Sequence, residues 1–134
     1  MDMEMNNTGD AVSLLRDTSD LLFAGGDILR VIENHGHRIN HFHAKDIRAD
    51  ILKTVDRNKD SFLECVLRGV FTVPGDGMID YGAIMQALAY KQYEGWVIVE
   101  AEQDPAQADP YEYACIGYKA LETAAVNAGY SIIR

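Results

Sequence analysis

Cysteine is scarce in this 134-residue chain. There are two, Cys65 and Cys115, too far apart for a C-x-x-C unit. That excludes a disulfide-stapled scaffold and a thiolate zinc site, and reads as a pair of reduced, buried thiols. No apolar secretory segment follows Met1. The opening Met-Asp-Met-Glu-Met-Asn-Asn-Thr-Gly-Asp is acidic and polar, which suits a disordered leader over residues 1–10 and a cytoplasmic protein. Basic residues are also few: twelve Lys and Arg stand against twenty-one Asp and Glu, a net charge of −9. A nucleic-acid surface would need the opposite balance, clustered on one face. No apolar run approaches the roughly 20 residues of a membrane span, so no membrane partner is expected. Phosphate and calcium loops are missing too. Gly75-Asp76-Gly77 opens no helix, so it is a turn or a substrate-covering loop. Asp56-Arg57-Asn58-Lys59-Asp60 starts like a calcium loop, but Ser61 stands where the loop needs glycine and Leu67 where it needs glutamate.

What the chain does have is alternation. Hydrophobic residues make up 48% and charged ones 25%, enough for one α/β domain. The apolar run 11–16 predicts a buried strand. Gly25-Gly26 supplies a turn, and Asp27 caps a helix with Ile28, Leu29, Val31 and Ile32, which Gly36 ends at a C′ position. Residues 39–44 predict a second strand, parallel to the first because a crossover joins them. A longer insertion follows. Ala49–Val55 suits one or two helical turns, Ser61 caps a helix over Phe62–Arg68, and Val70–Val73 is short and β-prone. Asp80 caps an amphipathic helix carrying Ile84, Met85, Leu88 and Ala89. Trp96-Val97-Ile98-Val99-Glu100 is continuous, apolar and β-branched, as a strand covered on both faces should be. A last helix runs from Pro110 to about residue 128. Cys65 falls on an apolar helix face, His35 and His37 flank a helix stop as surface residues, and Tyr111, Tyr113 and Tyr118 are placed to pack against neighbouring helices.

Each of the three strands finishes in ionisable groups: Asp17 and Asp20, then His41, His43 and Lys45, then Glu100 and Glu102. Residues i and i+2 of a strand share a face, so His41, His43 and Lys45 look the same way. Parallel strands bring their C-terminal ends to one edge, where α/β folds bind ligands. Asp, His and Glu from separate strands form a mixed oxygen and nitrogen donor set suited to Mn²⁺, Co²⁺, Zn²⁺ or Mg²⁺.

Three segments carry a resemblance: His-Phe-His-Ala-Lys-Asp-Ile-Arg at 41–48, Gly-Val-Phe-Thr-Val-Pro-Gly-Asp-Gly-Met-Ile-Asp-Tyr at 69–81, and Gly-Trp-Val-Ile-Val-Glu-Ala-Glu-Gln-Asp-Pro at 95–105, followed by a Tyr-containing helix. Together they resemble the C-terminal part of inosose dehydratases, in the xylose isomerase-like TIM-barrel superfamily, over about residues 12–128. The resemblance implies a partial (β/α)₈ barrel across 11–134, about the last three βα units with parallel strands. It implies a divalent metal, Mn²⁺ or Co²⁺, and dehydration of 2-keto-myo-inositol in inositol catabolism. It assigns Asp17, His43 and Glu100 as metal ligands, with a further Glu ligand outside this stretch. It places Lys45 and Arg48 near a cyclitol or sugar substrate; with it, Glu100 and Lys45 are the expected catalytic pair, and His41, Asp20 and Glu102 of the strand-end cluster are expected beside the same substrate. The family's Asp-Thr-Gly-His run is here Asp17-Thr18-Ser19-Asp20, so Asp20 replaces a substrate-contacting histidine. Two other readings stay open: a sugar isomerase or epimerase of the same superfamily, or an inactive truncated piece. A barrel of this type has about 250 residues. A three-strand portion leaves apolar faces bare, so it is expected to self-associate or to pair with a complementing N-terminal half.

Overall fold

The structure, a computed structural model, describes residues 2–133. Its centre is a three-stranded parallel sheet in the order β1-β2-β5, where β1 is Leu14–Asp17, β2 is Ile39–Ala44 and β5 is Trp96–Val99. Leu15 pairs with His41, which pairs with Trp96; Asp17 pairs with His43, which pairs with Ile98. The register therefore sets the ionisable strand ends side by side. Five further helical segments and a small antiparallel ladder frame the sheet. They are α2 (Thr18–Phe23), α3 (Ile28–His35), α4 (Ala49–Leu52), α5 (Phe62–Leu67) and α6 (Tyr81–Tyr90), with β3 (Asp46–Ile47) against β4 (Phe71–Thr72). The chain ends in α7 (Pro110–Asn127) and opens with α1 (Asp2–Asn6). This is an α/β fold with the strand order of a partial barrel, and no barrel closes among the described residues.

The two faces of the sheet differ sharply. On one, Phe42 and Ala44 are fully buried, with Val97 and Val99 packed beside them. Against them lie Val31 and Ile32 of α3, Ile84, Met85 and Leu88 of α6, and Leu121 of α7. On the other face Leu15 is 50% exposed, Trp96 74% and Ile98 38%. The expectation that Trp96–Val99 is covered on both sides is therefore corrected. A continuous apolar strand reports that both faces suit burial, but only one finds a neighbour here. A second, smaller core of Ile47, Cys65, Val70 and Phe71 holds α4, α5 and the β3–β4 ladder together.

Local chemistry accounts for most helix starts. Asp27, Asp80 and Asp109 each accept a hydrogen bond from an amide in the first turn, and Pro110 occupies the first turn of α7. Ser61 and Glu64 form a full capping box at α5. Several expectations change. Residues 2–6 are a short helix rather than part of a disordered leader: Met5 is buried, and the Arg38 guanidinium donates to the carbonyls of Met5, Gly9 and Val12. The first strand begins at Leu14, not at residue 11, and runs straight into α2, because Asp17 accepts from the Asp20 amide as an N-cap. Gly36 is right-handed (φ −54) and continues into a 3₁₀ turn; the left-handed glycine of this region is Gly25 (φ 84). His35 is buried, since α3 turns that side inward with Ile32 and Val31. Tyr111 and Tyr118 are exposed on α7, as is Cys115, while Cys65 is in the core.

Asp46 is fully buried at the mouth of the ladder. Its Oδ1 accepts from the amides of Ile47 (2.7 Å) and Ile79 (2.9 Å), and its Oδ2 has no partner. A Cβ at Gly77 would lie 2.2 Å from that Oδ1, so only glycine lets the 75–79 loop close on it. Burial holds the Asp46 carboxyl above its ordinary value, although the Ile79 and Ile47 amides pull the other way. The folded chain thus binds this proton more readily than the unfolded one. Its stability contribution falls as pH rises from the ordinary carboxylate value through the raised one. Asp46→Asn is expected to melt higher than wild type above that window. The difference should shrink as pH falls below about 4. A difference independent of pH would show that the charge is not the cause.

Candidate metal centre

β1, β2 and β5 deliver Asp17, His43 and Glu100 to one edge of the sheet. Asp17 ends β1, His43 sits opposite it on β2, and Glu100 follows β5 with its amide bonded to the Ala44 carbonyl (3.0 Å). One ligand atom from each of the three lies within 4.8 Å of the others. His43 Nδ1 is 2.7 Å from Glu100 Oε2. That oxygen is buried and has no hydrogen-bond partner. An imidazole nitrogen and a buried carboxylate oxygen converging in this way suit a shared cation, and imidazole with two carboxylates is a donor set for a borderline or hard divalent ion. Asp17 is oriented by its own turn: Oδ1 accepts from the Asp20 amide (2.9 Å) and from the Ser19 hydroxyl (3.3 Å).

Lys45 closes the cluster. It is only 1% exposed, and its Nζ lies 2.6 Å from Glu102, 3.2 Å from Asp20, 3.5 Å from Asp17 and 4.0 Å from Glu100. Burial pushes the ammonium down, but the hydrogen bond to Glu102 and the charges of Asp17, Asp20 and Glu102 outweigh it and hold the pKa above the usual lysine value. A buried cation with this many carboxylate neighbours is compensated, which burial alone would not permit.

The other expected substrate residues divide. His41 faces the same open side as His43, with ring centroids 5.3 Å apart. Asp20 and Glu102 join the cluster through Lys45. Arg48 is committed elsewhere: its guanidinium donates to Asp76 (2.7 and 3.1 Å), Thr72 (3.0 Å) and the carbonyls of Gly69 (2.8 Å) and Phe71 (3.3 Å). These bonds use all five donors of a guanidinium, so in this structure Arg48 pins the loop around 69–76. A cleft of about 240 Å³ beside it is lined by Arg48, Leu67, Gln103, Gln107 and Tyr113 and contains none of the three candidate ligands. The centre itself lies on the open face of the sheet. Sequence reasoning missed Thr18 and Tyr81, both buried against Lys45; their only signal is that Thr18 follows Asp17.

Parallel strands, helices on one side and an Asp-His-Glu trio that could hold a metal ion at the C-terminal edge define a portion of a (β/α) barrel. Residues 4–121 match the family model of the xylose isomerase-like TIM barrel, and the chain belongs to that family. It is 44% identical over 132 residues to the rhizopine catabolism protein MocC of Rhizobium meliloti, covering 98% of this chain and 41% of that protein. It is 54% identical over 103 residues to an inosose dehydratase of Geobacillus thermodenitrificans, 77% of this chain and 35% of the relative. An inosose dehydratase of Clostridium tetani is 49% identical over 120 residues, 90% and 40% respectively. The chain thus spans about two fifths of the length of these relatives.

Proposed function

We propose that this chain carries the metal-holding part of an inosose dehydratase, a carbon–oxygen hydro-lyase acting on 2-keto-myo-inositol in the cytoplasm. The observation that carries this reading is the convergence of Asp17, His43 and Glu100 within 4.8 Å at the strand ends, in a chain about half identical to proteins of that name. Asp17, His43 and Glu100 would hold the cation, Mn²⁺ or Co²⁺. Such an ion, when bound, polarises the ketone oxygen and stabilises the negative charge that develops there. The chain's residues do the rest. A carboxylate of the cluster, Glu100 in this reading, takes the proton from the carbon next to the ketone. Lys45 sets a positive charge beside the β-hydroxyl and gives it the proton with which it leaves as water; the proton taken by Glu100, 4.0 Å away, then restores the ammonium. The C–H and C–O bonds break, a C=C bond forms, and the resulting enol tautomerises to a cyclohexane dione. His41, Asp20 and Glu102 border the ring hydroxyls, and Arg48 shapes the wall behind them.

The open sheet face bears on how the site works. Leu15, Trp96 and Ile98 would be interior residues in a closed barrel, and they are uncovered here. The reading therefore assigns turnover to this chain together with the remaining strands of a barrel, which also bring a further Glu ligand. The test is turnover of 2-keto-myo-inositol, with and without Mn²⁺, by the chain mixed with a fragment carrying the rest of the Geobacillus thermodenitrificans relative's barrel. The expected result is metal-dependent formation of a product lighter by one water. A product of unchanged mass would replace this reading with an isomerase or epimerase, and no product at all would leave the chain without this activity.

A further inference from the structure

Just past the last β1–β2 rung, Thr18 takes over the pairing. Its side chain is fully buried. Its Oγ1 accepts from the Lys45 amide (3.0 Å) and donates to the Lys45 carbonyl (2.6 Å). The Tyr81 hydroxyl, from the start of α6, lies 2.8 Å from the same Oγ1 and 3.0 Å from the Lys45 carbonyl. Tyr81 is itself buried, and burial pushes its phenol pKa far up, so it stays a neutral donor. Three elements thus meet on one peptide: β1 through Thr18, α6 through Tyr81, and the link between β2 and β3 through Lys45.

We propose that Thr18 and Tyr81 are positioning residues for Lys45. The geometry points to this because Lys45 lies beyond the strand ladder, where no backbone partner from β1 holds it. Both hydrogen-bonding groups of its peptide are instead held by side chains that carry no charge. With the peptide held, Nζ falls between Glu102 and Asp20 and close to Asp17. Without it, the same carboxylates could still attract the ammonium, but at a different height relative to Asp17 and His43. The inference rests on the dehydratase reading for its consequence in catalysis, but not for the clamp itself.

The clamp is tested on the chain alone by the rate at which an amine-acetylating reagent modifies Lys45, followed by mass spectrometry. Lys59, 81% exposed on its side chain, is the internal standard. Thr18→Ser keeps the hydroxyl and is expected to leave Lys45 as protected as in wild type. Thr18→Val keeps the shape and loses the hydroxyl, and Tyr81→Phe removes the second donor. Losing a buried hydrogen bond makes local opening about tenfold more frequent, so Lys45 should be modified about tenfold faster in each. Lys59 should be unchanged and the melt still cooperative. Equal protection of Lys45 in Thr18→Val and wild type overturns the clamp. If Thr18→Val does not fold, Tyr81→Phe decides in the same way. In the complemented turnover assay, Thr18→Val should lower kcat by about tenfold or more with little change in KM, and Lys45→Met should make that loss disappear. Absence of turnover in wild type counts against the dehydratase reading and leaves the acetylation result to decide the clamp.

Discussion

His43→Ala is expected to abolish the thermal stabilisation that Mn²⁺ or Co²⁺ gives the wild-type chain. An ion that binds only the folded state stabilises it by RT ln(1 + [L]/Kd), about 2.7 kcal/mol at a hundredfold excess over Kd. His43 is the one nitrogen donor among three converging ligand atoms. Without it two carboxylates remain, and an affinity loss of about a hundredfold brings the gain below about half a kcal/mol under the same conditions. The metal-free protein should change little, because His43 is half-buried and its near neighbour Glu100 keeps Lys45 within 4.0 Å as a counter-charge. Asp17→Ala should give the same loss of metal response. It should also lower the metal-free melting temperature, since Asp17 caps α2 and an N-cap is worth about 1 kcal/mol. The measurement is a melt across a Mn²⁺ titration. An unchanged metal response in His43→Ala would place any bound ion elsewhere.

Trp96→Glu is expected to leave the isolated chain as stable as wild type while abolishing its association with the rest of a barrel. Trp96 is 74% exposed on the bare sheet face, so within this chain it has little contact to lose. Surface substitutions of that kind stay within about 0.5 kcal/mol. In the complemented barrel the same side chain would be interior, level with His41 and Leu15. A central Trp in an interface is typically worth about 2 kcal/mol or more, roughly thirtyfold in affinity, and a carboxylate buried in its place adds a further penalty. Sizing of the mixture with the complementing fragment reads this directly. Wild type should co-elute, and the variant should not. Co-elution of both would mean that this face is not where the remaining strands dock.

Much of the framework was legible from local patterns. β2 lies at Ile39–Ala44 as its apolar run implies, α6 begins behind Asp80 and α7 at Pro110, because helix-start signals act over a few residues and need no tertiary partner. The gathering of ionisable groups at the strand ends was legible because parallel strands must put their C-terminal residues on one edge; the choice of Asp17, His43 and Glu100 among them came from the resemblance. What was not legible depends on distant parts of the chain. Nothing near Met5 announces that it will seat in the core, and nothing near Trp96 says that one side of its strand lacks a neighbour. The Thr18–Tyr81 contact joins residues 63 apart. Arg48 is beside the substrate only by the resemblance, and no local pattern announces that its donors reach Asp76, Thr72 and two carbonyls that the insertion folds back to it.

The order β1-β2-β5 gives the sheet two outer strands, each with one edge unpaired among the described residues. One of them, Trp96-Val97-Ile98-Val99, is four uncharged β-formers in a row. Such a segment is the seed of cross-β stacking, and the acidic residues that flank it, Glu94 and Glu100, act as gatekeepers against self-templating. One of those gatekeepers is also the proposed ligand. Neutralising Glu100 would therefore do two unrelated kinds of damage, and a Glu100→Gln preparation should precipitate at lower concentration than wild type before any question of chemistry arises.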